Sequence, residues 1–127
     1  MRVFKTKGVA RYSRREKIAD TALLEAIDRA ERGLIDADLG GDLIKQRVAR
    51  KGQGRSGGYR TIVCYRAENR AVFLYAFAKN ERDNIDSDEL IELRRIGANW
   101  LNATATTLGE ALRDGTLQEV DRGEKET

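Results

Sequence analysis

Hydrophobic positions along the chain fall into three patterns, and each predicts a different element. Leu23, Leu24, Ile27 and Ala30 recur at helical spacing, with Asp20 ahead of them as an N-cap and Gly33 behind them where a left-handed C-cap belongs. Residues 20–32 therefore read as an amphipathic helix. Upstream, residues 4–18 are basic, with Val9 and Tyr12 three apart, and read as a strand turning into a short helix. Residues 36–42, rich in Asp and Gly, read as a turn that ends the helical region.

Three strand-like segments come next, at 43–50, 59–66 and 71–79, with 67–70 as a turn between the last two. Period-two alternation in 59–66 sets Arg60, Ile62 and Cys64 on one face and Tyr59, Thr61, Val63 and Tyr65 on the other. Both faces are partly apolar, so this is expected to be the central strand. Residues 71–78 are continuously apolar, as in a strand covered on both sides. A second helix is predicted from 86–88, capped by Ser87, with Asp88 and Glu89 at its positive N-terminal end and Leu90, Leu93, Ile96, Ala98 and Leu101 as apolar positions. Gly97 is its weak point. A short helix over 106–113 precedes Gly115, and the polar residues 122–127 are expected to fray as a disordered tail.

The order of elements predicts one α+β domain over residues 1–121: a small antiparallel β-sheet with N-terminal helices and a C-terminal helix, the helices packed on one face. A chain of 127 residues with neither repeat nor linker suits a single core. Composition narrows the chemistry. The one cysteine, Cys64, has no partner for an internal disulfide, and the absence of histidine excludes a His-based metal site or a His general base. No metal and no cofactor is expected. No apolar run approaches the roughly 20 residues that span a bilayer, and the start lacks the apolar core of a secretory signal. A cytoplasmic protein without a membrane partner is the expectation.

Charge changes the picture more. The net charge is only +3, yet residues 43–82 hold ten Lys/Arg against two acids, while 19–42 hold two against seven and 83–127 five against eleven. A basic centre between acidic flanks suits a polyanion-binding face. Lys45 and Arg47, two apart on a strand, project to the same side; Arg50, Lys51 and Arg55 continue into the loop, and Arg60 opens the next strand. Such a cluster repels itself, and its natural counter-charge is external phosphate. Lys79 and Arg82, at the end of the third strand, fall near Arg60 if that strand pairs antiparallel with the second. The run 52–57 has the spacing G-x-G-x-x-G, but residues 58–63 after it are β-branched and aromatic rather than helical, which argues against a dinucleotide fingerprint. A hairpin loop in which Gly54 and its neighbours let backbone and Arg55 approach a bound strand is the better reading. Tyr59 and Tyr65 could stack a base or pack in the sheet.

Together, Lys45-x-Arg47, the Gly58-Tyr59-Arg60 opening, the apolar strand and Lys79-x-Glu81-Arg82 before a helix resemble the RelE/HigB/ParE toxin superfamily. The stretch 52–60 is similar to the Gly-Gln-Gly-Lys-Ser-Gly-Gly-Tyr-Arg of a RelE-like subgroup, with Arg55 in place of the lysine. The resemblance runs from about residue 39 to 93. It implies a cytoplasmic bacterial toxin with a helix-turn-helix antitoxin as partner, and cleavage of mRNA on the ribosome without a metal. It implies roles in cleavage for Lys45, Arg47 and Arg60; the positions of a second arginine and a late tyrosine hold Asn80 and Asp86, and Lys79 or Arg82 could compensate. Lys45 is the candidate general base, because lysine, unlike arginine, can give up its proton when cations crowd it. Arg50, Lys51, Arg55, Gly54 and Tyr59 are the candidate RNA-binding residues around this centre. Two alternatives stay open: a ParE-like toxin that binds a protein, as gyrase inhibitors do, and an RNA-binding module that does not cut.

Overall fold

The structure, a computed structural model, describes residues 1–50 and 54–121, and the side chains of all of these but 54–56. In chain order they form β1 (Arg2–Thr6), α1 (Lys7–Glu16), α2 (Asp20–Glu31), β2 (Ala37–Gly40), β3 (Leu43–Arg50), β4 (Gly54–Arg66), β5 (Arg70–Ala78), α3 (Ser87–Leu101), α4 (Ala105–Asp114) and β6 (Leu117–Glu119). The strands make one six-stranded sheet in the order β2-β3-β4-β5-β1-β6. The α+β reading holds, and the strand expected to be central lies inside the sheet between β3 and β5. All neighbouring pairs are antiparallel except β1, which runs parallel to β5. Two short strands were not anticipated: β2 lies within the stretch read as a turn, and β6 pairs with β1.

The helices cover both faces, which corrects the expectation of one. Val9 of α1 and Leu23, Leu24 and Ile27 of α2 pack with Ile44, Val48, Val63 and Phe73. Leu101 of α3 and Leu108 and Ala111 of α4 pack with Leu43, Ile62, Cys64 and Val72 on the other side. The physical reason is already in the strands: β4 and β5 are apolar at consecutive positions, so each face must be buried against something.

Local chemistry sets the helix ends. α3 begins with a capping box in which Asp86, not Ser87, accepts from the Glu89 N–H while the Glu89 side chain accepts from Asp86 N–H. Ala19 occupies the N-cap of α2. Asp20 is thereby released to accept from Lys5 at 2.7 Å and from the Asp121 N–H at 3.0 Å, which ties β1 and the end of β6 to α2. Gly33, one residue past the α2 C-cap, has φ 83°, and Gly115, the α4 C-cap, has φ 84°. Both are left-handed positions that glycine occupies without steric cost. Gly97 has a different role from the weak point expected of it. A Cβ there would lie 2.8 Å from the Cys64 Cβ, so α3 comes down on the sheet where only glycine fits.

Candidate nucleic-acid interface

Register decides which cations meet. Arg47 lies opposite Arg60, which lies opposite Phe77; Lys45 lies opposite Ile62, which lies opposite Tyr75. Directly opposed residues project to the same face with Cβ atoms about 5 Å apart. Lys45, Arg47 and Arg60 therefore converge on the α3 side of the sheet, beyond the ground that helix covers. Arg47 is exposed, while Lys45 and Arg60 are half-buried. The Lys45 ammonium reaches the Asn84 Oδ1 at 3.5 Å. Two arginines placed face to face across a ladder repel each other, and an anion between them relieves that repulsion.

The backbone under Arg47 is held by a device that sequence reasoning missed. β2 stops at Ala37, opposite Lys45, so β3 has no strand partner at Arg47 on that edge. The Arg47 N–H donates to the Asp36 carboxylate at 2.7 Å, and its carbonyl accepts from the buried Arg29. Arg29 also pairs with Asp36 at 3.3 Å and with Glu25 at 2.9 Å. An ion pair from α2 and the loop after it thus takes the place of an absent strand. The signal was weak: Arg29 sits one position before the apolar Ala30, on a helix whose other cation lies at its end.

Tyr75 is a second residue missed. In regular alternation it would fall on the α1/α2 face with Phe73, but a β-bulge between Ile62 and Val63 of the ladder makes Phe73 oppose Val63 and Tyr75 oppose Ile62. Leu74 and Tyr75 then both pack on the α3 side. The Tyr75 hydroxyl accepts from Arg82 Nη1 at 3.2 Å, and its ring tilts against that of Phe77 at 5.6 Å. The usable signal was that Tyr75 is the only residue with a polar tip in an otherwise apolar run.

Arg82 is in place but committed. It makes two bonds to the Glu89 carboxylate, at 2.5 and 3.0 Å, and a third to the Asn84 carbonyl at 2.9 Å. The Arg82 side chain and then the Asp86 N–H hold the Glu89 carboxyl down at about 2. The pair is therefore charged through neutral and mildly acidic pH, and weakens only as pH falls below the ordinary carboxylate range toward 2. Lys79 is exposed in the turn after β5.

Two expected RNA-binding residues lie on the opposite face from Lys45, Arg47 and Arg60. Tyr59 is 3% exposed, meets Tyr12 edge-on at 5.9 Å and donates to Glu16 at 3.1 Å, all on the α1 face. It packs, and cannot stack a base. Arg50 lies on that side too, its guanidinium 5.4 Å from the Tyr59 ring centre. Both stand apart from the trio for one reason: they alternate with Arg60 and Arg47, so a face shared by the latter pair excludes the former. Gly54 is a paired residue of β4, opposite Arg50. Lys51 and the Arg55 side chain lie outside the described residues. The Cys64 thiol, buried between β4 and α3, is pushed up to about 12 and stays protonated. Among the described residues no three Cys, Asp or Glu side chains are close enough together to hold a metal ion, and no helix is long and apolar enough to cross a membrane.

This sheet, with its cations and the helices on both faces, falls within residues 1–120, the span that matches the family model described as RelE toxin of RelE / RelB toxin-antitoxin system. The chain belongs to the RelE toxin family. No curated protein matches it. As a RelE toxin it has a cognate antitoxin for a partner. Of the two positions where the sequence resemblance implies an arginine and a tyrosine, only one has a structural explanation for its residue. Asp86 serves the capping box of α3 and is occupied by that task. Asn80 is exposed in the turn beside Lys79, and nothing in the structure explains it.

Proposed function

We propose that this RelE toxin is a metal-independent endoribonuclease that cuts mRNA on the ribosome and so stops translation. One observation carries the reading: Lys45, Arg47 and Arg60 stand on adjacent strands of one open sheet face, in an arrangement whose repulsion a phosphate group relieves. Arg47 and Arg60 bind the scissile phosphate and stabilise the charge that grows on it. Lys45 is the general base that takes the proton of the RNA 2′-hydroxyl. The 2′ oxygen attacks phosphorus, the bond to the 5′ oxygen breaks, and that oxygen takes a proton from water. The products are a 2′,3′-cyclic phosphate and a 5′-hydroxyl end. The chain acts in the cytoplasm, and a helix-turn-helix antitoxin silences it by laying acidic groups across residues 43–60.

A second reading has a specific observation behind it. Arg82 is neutralised by Glu89, and Asp86 is spent on a helix cap, so the face holds phosphate without the groups that usually complete cleavage. That describes an RNA-binding module that does not cut. Mapping 5′ ends of mRNA by primer extension after induction separates the readings. New 5′-hydroxyl ends within coding sequence are expected. Growth arrest with intact mRNA leaves binding alone, and arrest with loss of DNA supercoiling points instead to a gyrase inhibitor.

A further inference from the structure

The pairing of β1 with β5 ends where Lys5 meets Phe73, so the outer edge of β5 beyond that point has no strand beside it among the described residues. The Ala78 N–H on this edge donates to the Glu81 carboxylate at 2.9 Å, and its carbonyl accepts from the Glu81 N–H at 2.9 Å. Backbone groups two residues apart point the same way, so Ala76 also presents its N–H outward. There it faces a cavity of about 220 Å³ between β5 and α1, with Arg11 and Arg15 along its rim. These arginines are one helical turn apart, and both are exposed. Arg15 lies 4.9 Å from the ring centre of Tyr12, and Tyr12 donates to Glu81 at 2.8 Å, which fixes the groove's wall to the turn after β5. Glu16 lies 3.5 Å from Arg15, and Glu81, which also feels the charge of Arg15, is held by Tyr12 and the Ala78 N–H.

We propose that this groove is a second phosphate subsite, in which Arg11, Arg15 and the Ala76 N–H hold a neighbouring phosphate of the RNA strand bound at Arg47 and Arg60. Tyr75 connects the two places, since it packs on the cationic face and also lines the groove. An RNA strand crossing the face therefore turns around the bare edge of β5 rather than running off along β3. A backbone donor between two guanidinium groups is an anion site, and a sheet edge closed by bound RNA is no longer open to another strand. The inference rests on the RNA reading above and adds to it a direction for the bound strand.

The test uses a single-stranded 2′-O-methyl RNA oligonucleotide, whose blocked 2′ oxygen cannot attack, with affinity measured across a salt series. Each phosphate contact on a single strand contributes about 0.7 to the slope of log affinity against log salt. Arg11→Ala with Arg15→Ala should make the slope shallower by about 1.4 and weaken binding roughly tenfold at moderate salt. Lys7→Ala with Arg14→Ala removes equal charge from exposed positions on the same helix outside the groove, and should change both far less. Equal losses from the two double variants would mean diffuse attraction and overturn the subsite. Arg11→Ala alone, with half the slope change, guards against a folding defect in the double variant. Failure of the unaltered protein to bind the oligonucleotide would sink the RNA reading itself, and the subsite with it.

Discussion

The two faces of this sheet are built from alternate residues of the same strands and treat polar groups in opposite ways. On the α1/α2 face, Gln46 and Thr61 are fully buried and completely matched. Gln46 donates to the carbonyls of Ala26 at 2.9 Å and Leu34 at 3.3 Å and accepts from Asp36 N–H at 2.7 Å, while Thr61 donates to the Gln46 carbonyl at 2.8 Å. One residue away on each strand, Lys45, Arg47 and Arg60 turn to the other face and are left partly in solvent. A buried polar group must find partners inside the protein, whereas a cation at an open face can find its partner in a ligand. The contrast teaches that polarity within a strand marks function only on the face the helices leave open.

If the division is right, substitutions on the two faces should separate activity from stability. Arg60→Ala should lower RNA cleavage by 100-fold or more, a loss of about 3 kcal/mol in transition-state stabilisation, while chemical denaturation shifts by about 1 kcal/mol or less. Growth arrest at full strength on induction of that variant would remove Arg60 from the site. Gln46→Leu should do the reverse. It leaves two carbonyls and an N–H without their partner and should cost about 3 kcal/mol of stability, read from the midpoint of urea unfolding with an unchanged slope. A loss under about 1 kcal/mol would show that water reaches Gln46 and that this face is less closed than its contacts imply.

Sequence made the strands legible because β4 and β5 carry strong patterns, and it made the trio legible because alternation assigns Arg47 and Arg60 to whichever face they share. It could not say that helices lie on both faces. Apolar runs announce burial, not what buries them, and the helices that do so are far apart in sequence. The short edge strands β2 and β6 were unreadable for a related reason: three or four residues carry too little pattern, and their pairing is fixed by partners elsewhere. Tyr75 was hidden by the bulge, which breaks the alternation from which its face would be inferred. Tyr59 and Arg50 were grouped with the trio because charge and aromaticity were read along the loop without regard to the side on which each residue stands.

The contact of α3 with the sheet sets the limit of the open face, and Gly97→Ala probes it. The added methyl meets the Cys64 Cβ at 2.8 Å, with Leu74 at 3.4 Å behind it. Cys64 sits on an interior strand that cannot give way, so the helix must lift. The expected cost is about 2 kcal/mol, seen in the unfolding midpoint. Stability equal to or above that of the unaltered chain, as helix propensity alone would favour, would show that α3 is free to shift and that the boundary of the face is not fixed there.

The smallest effect expected is the most informative about how the open face is organised. Tyr75→Phe keeps the ring against Phe77 and removes only the oxygen that accepts from Arg82. Glu89 and Asn84 still hold that guanidinium, so stability should change by about 0.5 kcal/mol or less. The hydroxyl accepts from Arg82 and can still donate toward a phosphate held at Arg47 and Arg60. Its loss should lower the cleavage rate about tenfold, or roughly 1.4 kcal/mol, with RNA affinity nearly unchanged. An unchanged rate would make Tyr75 part of the packing under α3, and the bulge a device for filling space. A tenfold loss in rate alone would mean that the bulge turns a core strand outward at one residue, so that the face the helices leave open carries a neutral donor beside its three cations.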